Sequence, residues 1–175
     1  MMYLRALKKA DAVSMLAWMH DKSVVRDLHT NFSAKTLEDV QAFIESAQDM
    51  RETLHLAIAS DSDEYMGTVT LRNMDSKAGT AEFAIVVSPK AMGKGYAWFG
   101  MNAILEKAFF ELELRRIYWC VSLKNHRAIR FYDKHGFQET KDIPDDIVQR
   151  YGDTNCMKWY VAERAEPLAV HATES

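Results

Sequence analysis

The sequence predicts a mixed α/β (α+β) fold in one domain, and three observations lead there. Segments with apolar residues at helical spacing take turns along the chain with segments of period two, the pattern of helices packed on a sheet. Hydrophobic residues make up 48% and charged residues 27%, the balance of a chain that buries a core. Its 175 residues hold only three prolines and no linker rich in Pro, Gly or Ser, so nothing divides it. The expected domain spans residues 1–165, and the small, polar stretch 166–175 reads as a fraying tail.

Tyr3 to Leu7 is a short strand candidate, and Asp11 is placed to cap a helix through Met15, Leu16 and Met19. Thr36 and Asp39 have capping-box spacing, ahead of a helical face of Leu37, Val40, Phe43, Ile44 and Ala47. Period two then takes over. Leu54, Leu56 and Ile58 form one strand, Met66 to Arg72 a second, and Glu82 to Val87 a third after a turn at Ser76 to Gly79. The run Phe83 to Val87 is continuously apolar, as expected of a strand covered on both faces. A long helix follows, with Met101, Ile104, Leu105, Ala108 and Leu112 on its buried face. Ile117 to Val121 reads as a buried strand, and Arg127 to His135 as a helix stopped by Gly136. A last strand carries Met157, Trp159 and Val161 on one face.

Charge and cysteine usage narrow the class. The net charge of -3 argues against a nucleic-acid binder, which clusters Lys and Arg against phosphates. No apolar run approaches the roughly 20 residues that span a bilayer, and no secretory h-region is visible, so no membrane partner and a cytoplasmic location are expected. Cys120 and Cys156 sit in runs that read as strands and belong to no CxxC pair; two buried, reduced thiols are expected. His20, His29, His55, His126 and His135 show no metal-ligand spacing, so no metal is proposed.

The most informative segment is a strand running into a glycine loop that opens a helix, through Met92-Gly93-Lys94-Gly95-Tyr96-Ala97. Free N–H groups at a helix start, together with the helix dipole, form an anion site, and glycine lets the backbone come close. The loop fails the Walker pattern, having Ser88 at the first glycine position and Gly95 after Gly93-Lys94. It fails the Rossmann pattern too, having Trp98 in place of the third glycine. A plain strand-to-helix turn and a diphosphate cradle both remain open on this segment alone.

A second segment adds specificity. Asn125-His126-Arg127-Ala128-Ile129-Arg130-Phe131-Tyr132-Asp133-Lys134-His135-Gly136-Phe137 resembles the GNAT N-acyltransferase signature N-x-x-A-I-x-F-Y-x-K-x-G-F at nearly every position. The glycine loop is similar to that family's pyrophosphate loop, Arg/Gln-x-x-Gly-x-Gly/Ala, at Gly95 and Ala97, with Met92 standing where Arg or Gln is usual. The resemblance covers Tyr3 to Ala162, and is closest to the spermidine and ribosomal-protein acetyltransferase branch.

The resemblance implies the GNAT fold, acetyl-CoA as co-substrate and acetyl transfer to a primary amine. It implies that the loop Met92 to Ala97 receives the pyrophosphate and that the backbone groups of Ile85 and Val87 pair with the pantetheine amides, with Val86 among the cofactor-binding residues. Asn125, Ala128 and Phe131 are expected beside the cofactor, with helix N-capping as the other reading of Asn125. Tyr132 is the expected general acid for the leaving thiolate, since a phenol keeps its proton at pH 7, with an aromatic core residue on the inner face of its helix as the competing reading. Glu82 is the expected proton acceptor for the amine, with a structural acid at a strand end as the competing reading. Cys120 lies in an apolar run, so direct transfer rather than an acyl-cysteine is expected.

The acceptor is expected to be a small metabolite amine, a polyamine or an amino sugar. Asp21, Asp27, Asp142, Asp145 and Asp146 would attract a cation, and Trp18, Phe32 and Tyr151 would offer a stacking surface. The variable segments Ser23 to Ser33 and Ile143 to Asp153 are expected to build its site. Acetylation of a protein N-terminus, such as that of a ribosomal protein, and a non-catalytic acyl-CoA-binding module are the rival functions. The oligomeric state stays open, a homodimer being common among similar proteins.

Overall fold

The computed structural model describes residues 1–28 and 30–165; His29 and the expected tail lie outside them. Seven strands form one sheet: β1 (Tyr3–Ala6), β2 (Leu54–Ala59), β3 (Tyr65–Asp75), β4 (Thr80–Val87), β5 (Arg116–Ser122), β6 (Gln138–Glu139) and β7 (Met157–Glu163). Their order is β1-β2-β3-β4-β5-β7-β6. Every neighbouring pair is antiparallel except β4 and β5. The helices are α1 (Ala12–Met19), α2 (Lys22–Val25), α3 (Leu37–Ser46), α4 (Tyr96–Glu106), α5 (His126–Lys134) and α6 (Asp145–Tyr151).

The central pair decides where the site lies. β4 and β5 pair only at Thr80 to Glu82 against Arg116 to Tyr118. β4 stays with β3 up to Val87, whereas β5 is held by β7 along its whole length, Arg116 to Ser122. Each half of the sheet follows its own partner and twist, and the strands part beyond Glu82. As expected, Phe83 to Val87 has packing on both faces, Ile85 against one core cluster and Val86 against the other, and its exposure comes at the edge. Phe83 is buried, but Ala84 to Val87 are only half-buried because β5 has left their edge.

One face of the sheet carries α4 and α5. Ile58, Val69, Leu71, Phe83, Ile117 and Trp119 meet Met101, Ile104 and Tyr132 in the largest core cluster. The other face carries α1 and α3, where Met15, Trp18, Val40 and Ile44 cover Ala57 and Tyr65. Further along that face, Ile147 of α6 covers Tyr118 and Trp159.

Local chemistry explains most boundaries. Thr36 and Asp39 make both bonds of the capping box that starts α3. Asp11 does not cap α1 with its side chain. Its carboxylate instead accepts from Arg5 at 2.7 and 2.9 Å and from the Lys8 N–H at 2.8 Å. A charge-assisted bidentate pair outcompetes a cap, and it ties β1 to the chain entering α1. Gly136 (φ 77°) ends α5: Phe137 N–H bonds Tyr132 C=O and Gly136 N–H bonds Asp133 C=O, both at 3.1 Å, a Schellman motif.

α4 departs from the expected long regular helix. It runs into a π turn over Lys107–Glu111. The extra residue shifts the register, so Leu112 emerges at 37% exposure and Leu114, at 3%, fills the core in its place. Cys156 also departs. It lies in the turn before β7 and is exposed, while Cys120 is half-buried in β5.

α4 lies close on the sheet because Gly100 has no side chain. A Cβ there would meet the fully buried Ile58 and come within 3.1 Å of Val69 Cγ1. Gly100→Leu is expected to destabilise the fold by about 1–3 kcal/mol through overpacking. A lower urea midpoint at unchanged slope would report it; an unchanged midpoint would mean that α4 can lift off without cost.

Candidate active site

The gap between β4 and β5 is the natural place for an extended ligand. Ser88 N–H donates to Met66 C=O at 2.8 Å. In an antiparallel ladder, hydrogen-bonded pairs recur every second residue, so Val86 and Ala84 also spend their backbone groups on β3. Ile85 and Val87 are the residues between, and their N–H and C=O groups point into the gap. Val86 alternates with them: its backbone belongs to β3, and its side chain lines a chamber on the α1/α3 face.

At the wide end of the gap, β4 leads into the glycine loop. Gly93 (φ 73°) and Gly95 (φ 86°) are both left-handed. A Cβ at Gly93 would meet nothing within 4 Å, and one at Gly95 only Met2 Cε at 3.8 Å. The loop surface is therefore open, and glycine is needed there for backbone geometry. The first bond inside α4 runs from Phe99 N–H to Gly95 C=O at 3.0 Å, so the N–H groups of Tyr96, Ala97 and Trp98 have no partner within the helix. No acid sits in that first turn. The arrangement suits an anion. Met92 faces α5, where Arg127 Nη1 donates to its sulfur at 2.9 Å.

Asn125 caps α5, its Oδ1 accepting from Ala128 N–H at 3.2 Å. Ala128 and Phe131 are half-buried against the main core cluster, and Phe131 packs on Trp98 of α4 and His135. Tyr132 is 5% exposed, with its ring 5.4 Å from Trp119 and 5.1 Å from Tyr160. Its hydroxyl makes no hydrogen bond among the described residues. Burial holds the phenol above its ordinary value, with smaller contributions from Tyr160 and Cys120, so it stays protonated. Burial likewise pushes the Cys120 thiol up to about 11. A thiol that keeps its proton is a poor nucleophile.

Glu82 occupies the point where the strands part, 1% exposed. Its Oε2 accepts from Asn73 Nδ2 at 2.5 Å and from Arg150 Nε and Nη2 at 3.1 and 2.6 Å. Its Oε1 accepts from Tyr151 OH at 2.6 Å, and Arg72 Nη2 donates to the same hydroxyl at 2.8 Å. Only Oε1 keeps a free lone pair. Burial first, and the bond to Glu82 second, raise the Tyr151 phenol. The carboxylate is thus a hub holding α6 and the β3–β4 hairpin together.

The chamber beside it has a volume of about 270 Å³. Met15, Trp18, Phe32 and Phe43 supply apolar wall, and Lys35, Asp39 and Arg72 supply charge. His55 also lines it, with Nδ1 2.9 Å from Thr70 Oγ1. Burial, with Arg72 adding to it, lowers this imidazole, which is neutral at pH 7. Trp18 is core and wall at once, donating to Tyr65 OH at 3.1 Å. Three of the five acids expected to draw in a cation have local structural roles: Asp21 caps α2 through Ser23, Asp146 pairs with Arg150 at 3.5 Å, and Asp145 and Asp146 sit in the first turn of α6.

α6, like α2, is an element the sequence analysis does not anticipate; both overlap the segments expected to build the acceptor site. The signals of α6 were present: Pro144 at the N-cap, acids in the first turn and Arg150 in the last.

The two strands part beyond Glu82, a glycine loop opens α4, and a buried tyrosine stands on α5. The family model described as the acetyltransferase (GNAT) domain matches residues 2–138. The chain belongs to the GNAT acetyltransferase family. It is an acetyltransferase, with acetyl-CoA as the co-substrate of that family. Among its relatives, spermidine N(1)-acetyltransferase of Escherichia coli K12 is 30% identical over 141 residues, 78% of this chain and 75% of that one. The enzyme of the same name from Vibrio cholerae serotype O1 is 26% identical over 162 residues, 88% of this chain and 90% of that one. The GNAT fold agrees with the crystal structure of spermidine N-acetyltransferase from Vibrio cholerae in complex with CoA and spermine, at a TM-score of 0.77 and 20% identity, covering 93% of this chain and 95% of that one. A structure of the Vibrio cholerae enzyme is dodecameric. Among the described residues, no helix is long and apolar enough to cross a membrane.

Proposed function

We propose that this acetyltransferase moves the acetyl group of acetyl-CoA directly to the primary amine of a small metabolite, within the cytoplasm. The observation that carries the reading is the gap between β4 and β5, which has the anion loop at one end and Glu82 with the chamber beside it. In this reading the diphosphate lies on the N–H groups opening α4, and the pantetheine amides pair with the backbone of Ile85 and Val87. The amine enters from the α1/α3 face. Its nitrogen bonds to the thioester carbonyl carbon as the carbon–sulfur bond breaks. The Tyr132 hydroxyl gives its proton to the departing thiolate, and the amine loses its proton to Glu82 Oε1, directly or through water. Released proton and tyrosinate then recombine, so the cycle closes without an acyl-enzyme.

Polyamines are the first acceptor class in this proposal, since curated relatives are named for spermidine. One observation favours amino sugars as the second. Lys35 and Arg72 stand with Asp39 in the chamber wall, so a polycation meets two like charges there, whereas a neutral ring meets aromatic surface. The test is thiol release from acetyl-CoA with polyamines, amino sugars and peptide N-termini. A polyamine or amino sugar with the highest kcat/KM is the expected result. A peptide N-terminus far ahead of both would move the substrate class, and no thiol release with any amine would favour a binding module. The relative's assembly makes self-association the expected state, which light scattering reads.

Gly95→Val forces a β-branched side chain into a left-handed position (φ 86°) on the phosphate-facing surface. It is expected to raise the Kd for CoA at least about tenfold, the value of one lost charge-assisted bond. Wild-type affinity in a folded Gly95→Val protein would move the diphosphate elsewhere.

A further inference from the structure

Position 92 carries Met where the pyrophosphate loops it resembles carry Arg or Gln, so the loop itself offers one side-chain contact fewer. Arg127 stands at that spot from the neighbouring helix, with Nη1 2.9 Å from the Met92 sulfur. A thioether is a weak acceptor, and no carboxylate pairs with this guanidinium among the described residues. Arg127 is exposed. It also lies in the first turn of α5, a turn without acids, where a cation works against the helix dipole. A guanidinium whose side-chain partner is a thioether, at the positive end of one helix and beside the positive end of another, is free to take up an anion.

We infer that Arg127 supplies the side-chain cation to the diphosphate of acetyl-CoA, in place of the residue that position 92 lacks. The inference rests on the reading of Met92 to Ala97 as the diphosphate loop. Turning from the sulfur to phosphate oxygens exchanges one weak contact for charge-assisted, forked bonds, the geometry guanidinium is suited to. It also explains how Met is tolerated at position 92. An Arg there would crowd Arg127 with like charge, whereas an apolar, unbranched side chain lies beneath the guanidinium and supports it. The N-terminus of α4 and Arg127 of α5 then meet one site from two separate elements, so the cofactor clamps α5 to the loop that opens α4.

The test is equilibrium binding of CoA, 3′-dephospho-CoA and pantetheine to the wild-type protein, Arg127→Gln and Arg127→Gln/Met92→Arg. Arg127→Gln is expected to weaken CoA and 3′-dephospho-CoA alike, by about tenfold, with a shallower salt dependence. The difference should vanish with pantetheine, which has no diphosphate. Adding Met92→Arg should restore most of the lost affinity by returning the cation to the loop. Unchanged CoA affinity in Arg127→Gln would overturn the inference. So would a loss seen with CoA and absent with 3′-dephospho-CoA, because it would assign Arg127 to the 3′-phosphate. Gly95→Val separates the two levels of argument. If it loses affinity while Arg127→Gln does not, only the role of Arg127 fails; if neither loses affinity, the loop reading fails as well.

Discussion

Tyr132→Phe is expected to lower kcat by about 10²–10⁴-fold, the usual worth of a general acid, while acetyl-CoA binds as before. The structure makes this a clean substitution. The ring of Tyr132 is buried against Trp119 and Tyr160, and Phe keeps that packing. The hydroxyl has no hydrogen-bond partner among the described residues, so its removal leaves no orphaned donor or acceptor. Stability should therefore hold within the range of a neutral change, and a proton donor acts mainly in the transition state. The raised phenol adds a pH expectation. Tyr132 keeps its proton past its ordinary value of about 10, so any alkaline limb at lower pH belongs to another group. Single-turnover acetyl transfer, with acetyl-CoA affinity measured in parallel, reads the effect. Full turnover in Tyr132→Phe would reduce this residue to packing.

Legibility differed between elements for physical reasons. Regular period made β2, β3 and α3 readable, since burial of one face imposes spacing on the residues themselves, and a continuous apolar run marked β5. The capping box of α3 and the glycine stop of α5 are local interactions, written within four to six residues. What could not be read is non-local. Whether β4 stays beside β5 depends on β7 holding β5 along seven residues, and no pattern inside Phe83 to Val87 reports that; the run looks like any buried strand. Asp11 was misassigned because its partner, Arg5, lies across a turn and offers a better bond than the helix it precedes. The π turn after α4 shifted Leu112 out of the core by one residue, too small a change for periodicity to detect. The site followed the same division. The glycine loop and the α5 segment were visible as motifs, whereas the partners of Glu82 come from β3 and α6 and meet only in the fold.

Glu82→Gln is the second large expectation, and the hub geometry determines how it must be read. Gln is nearly isosteric and still accepts through one oxygen, but its amide NH2 replaces an acceptor with a donor. If the amide oxygen takes the place of Oε2 and keeps Asn73 and Arg150, the NH2 faces the Tyr151 hydroxyl, which then has to reverse its bond while Arg72 also donates to it. If it takes the other orientation, the NH2 meets Arg150 and Asn73, donor against donor. The first orientation costs less, so a loss of about 1–3 kcal/mol in stability is expected, without global unfolding. Catalytically, removing the proton acceptor should slow turnover by about 10²–10⁴-fold and abolish or displace the acid limb of kcat/KM, which reports the essential base of the free enzyme. Tyr151→Phe is the comparison that separates the roles. It removes one donor to Glu82 and leaves the carboxylate, so it should loosen α6 without abolishing the acid limb. If Glu82→Gln and Tyr151→Phe reduce kcat equally and leave the limb in place, Glu82 is a structural hub. The amine proton then leaves by another route, through water or through the neutral imidazole of His55, which the chamber already holds.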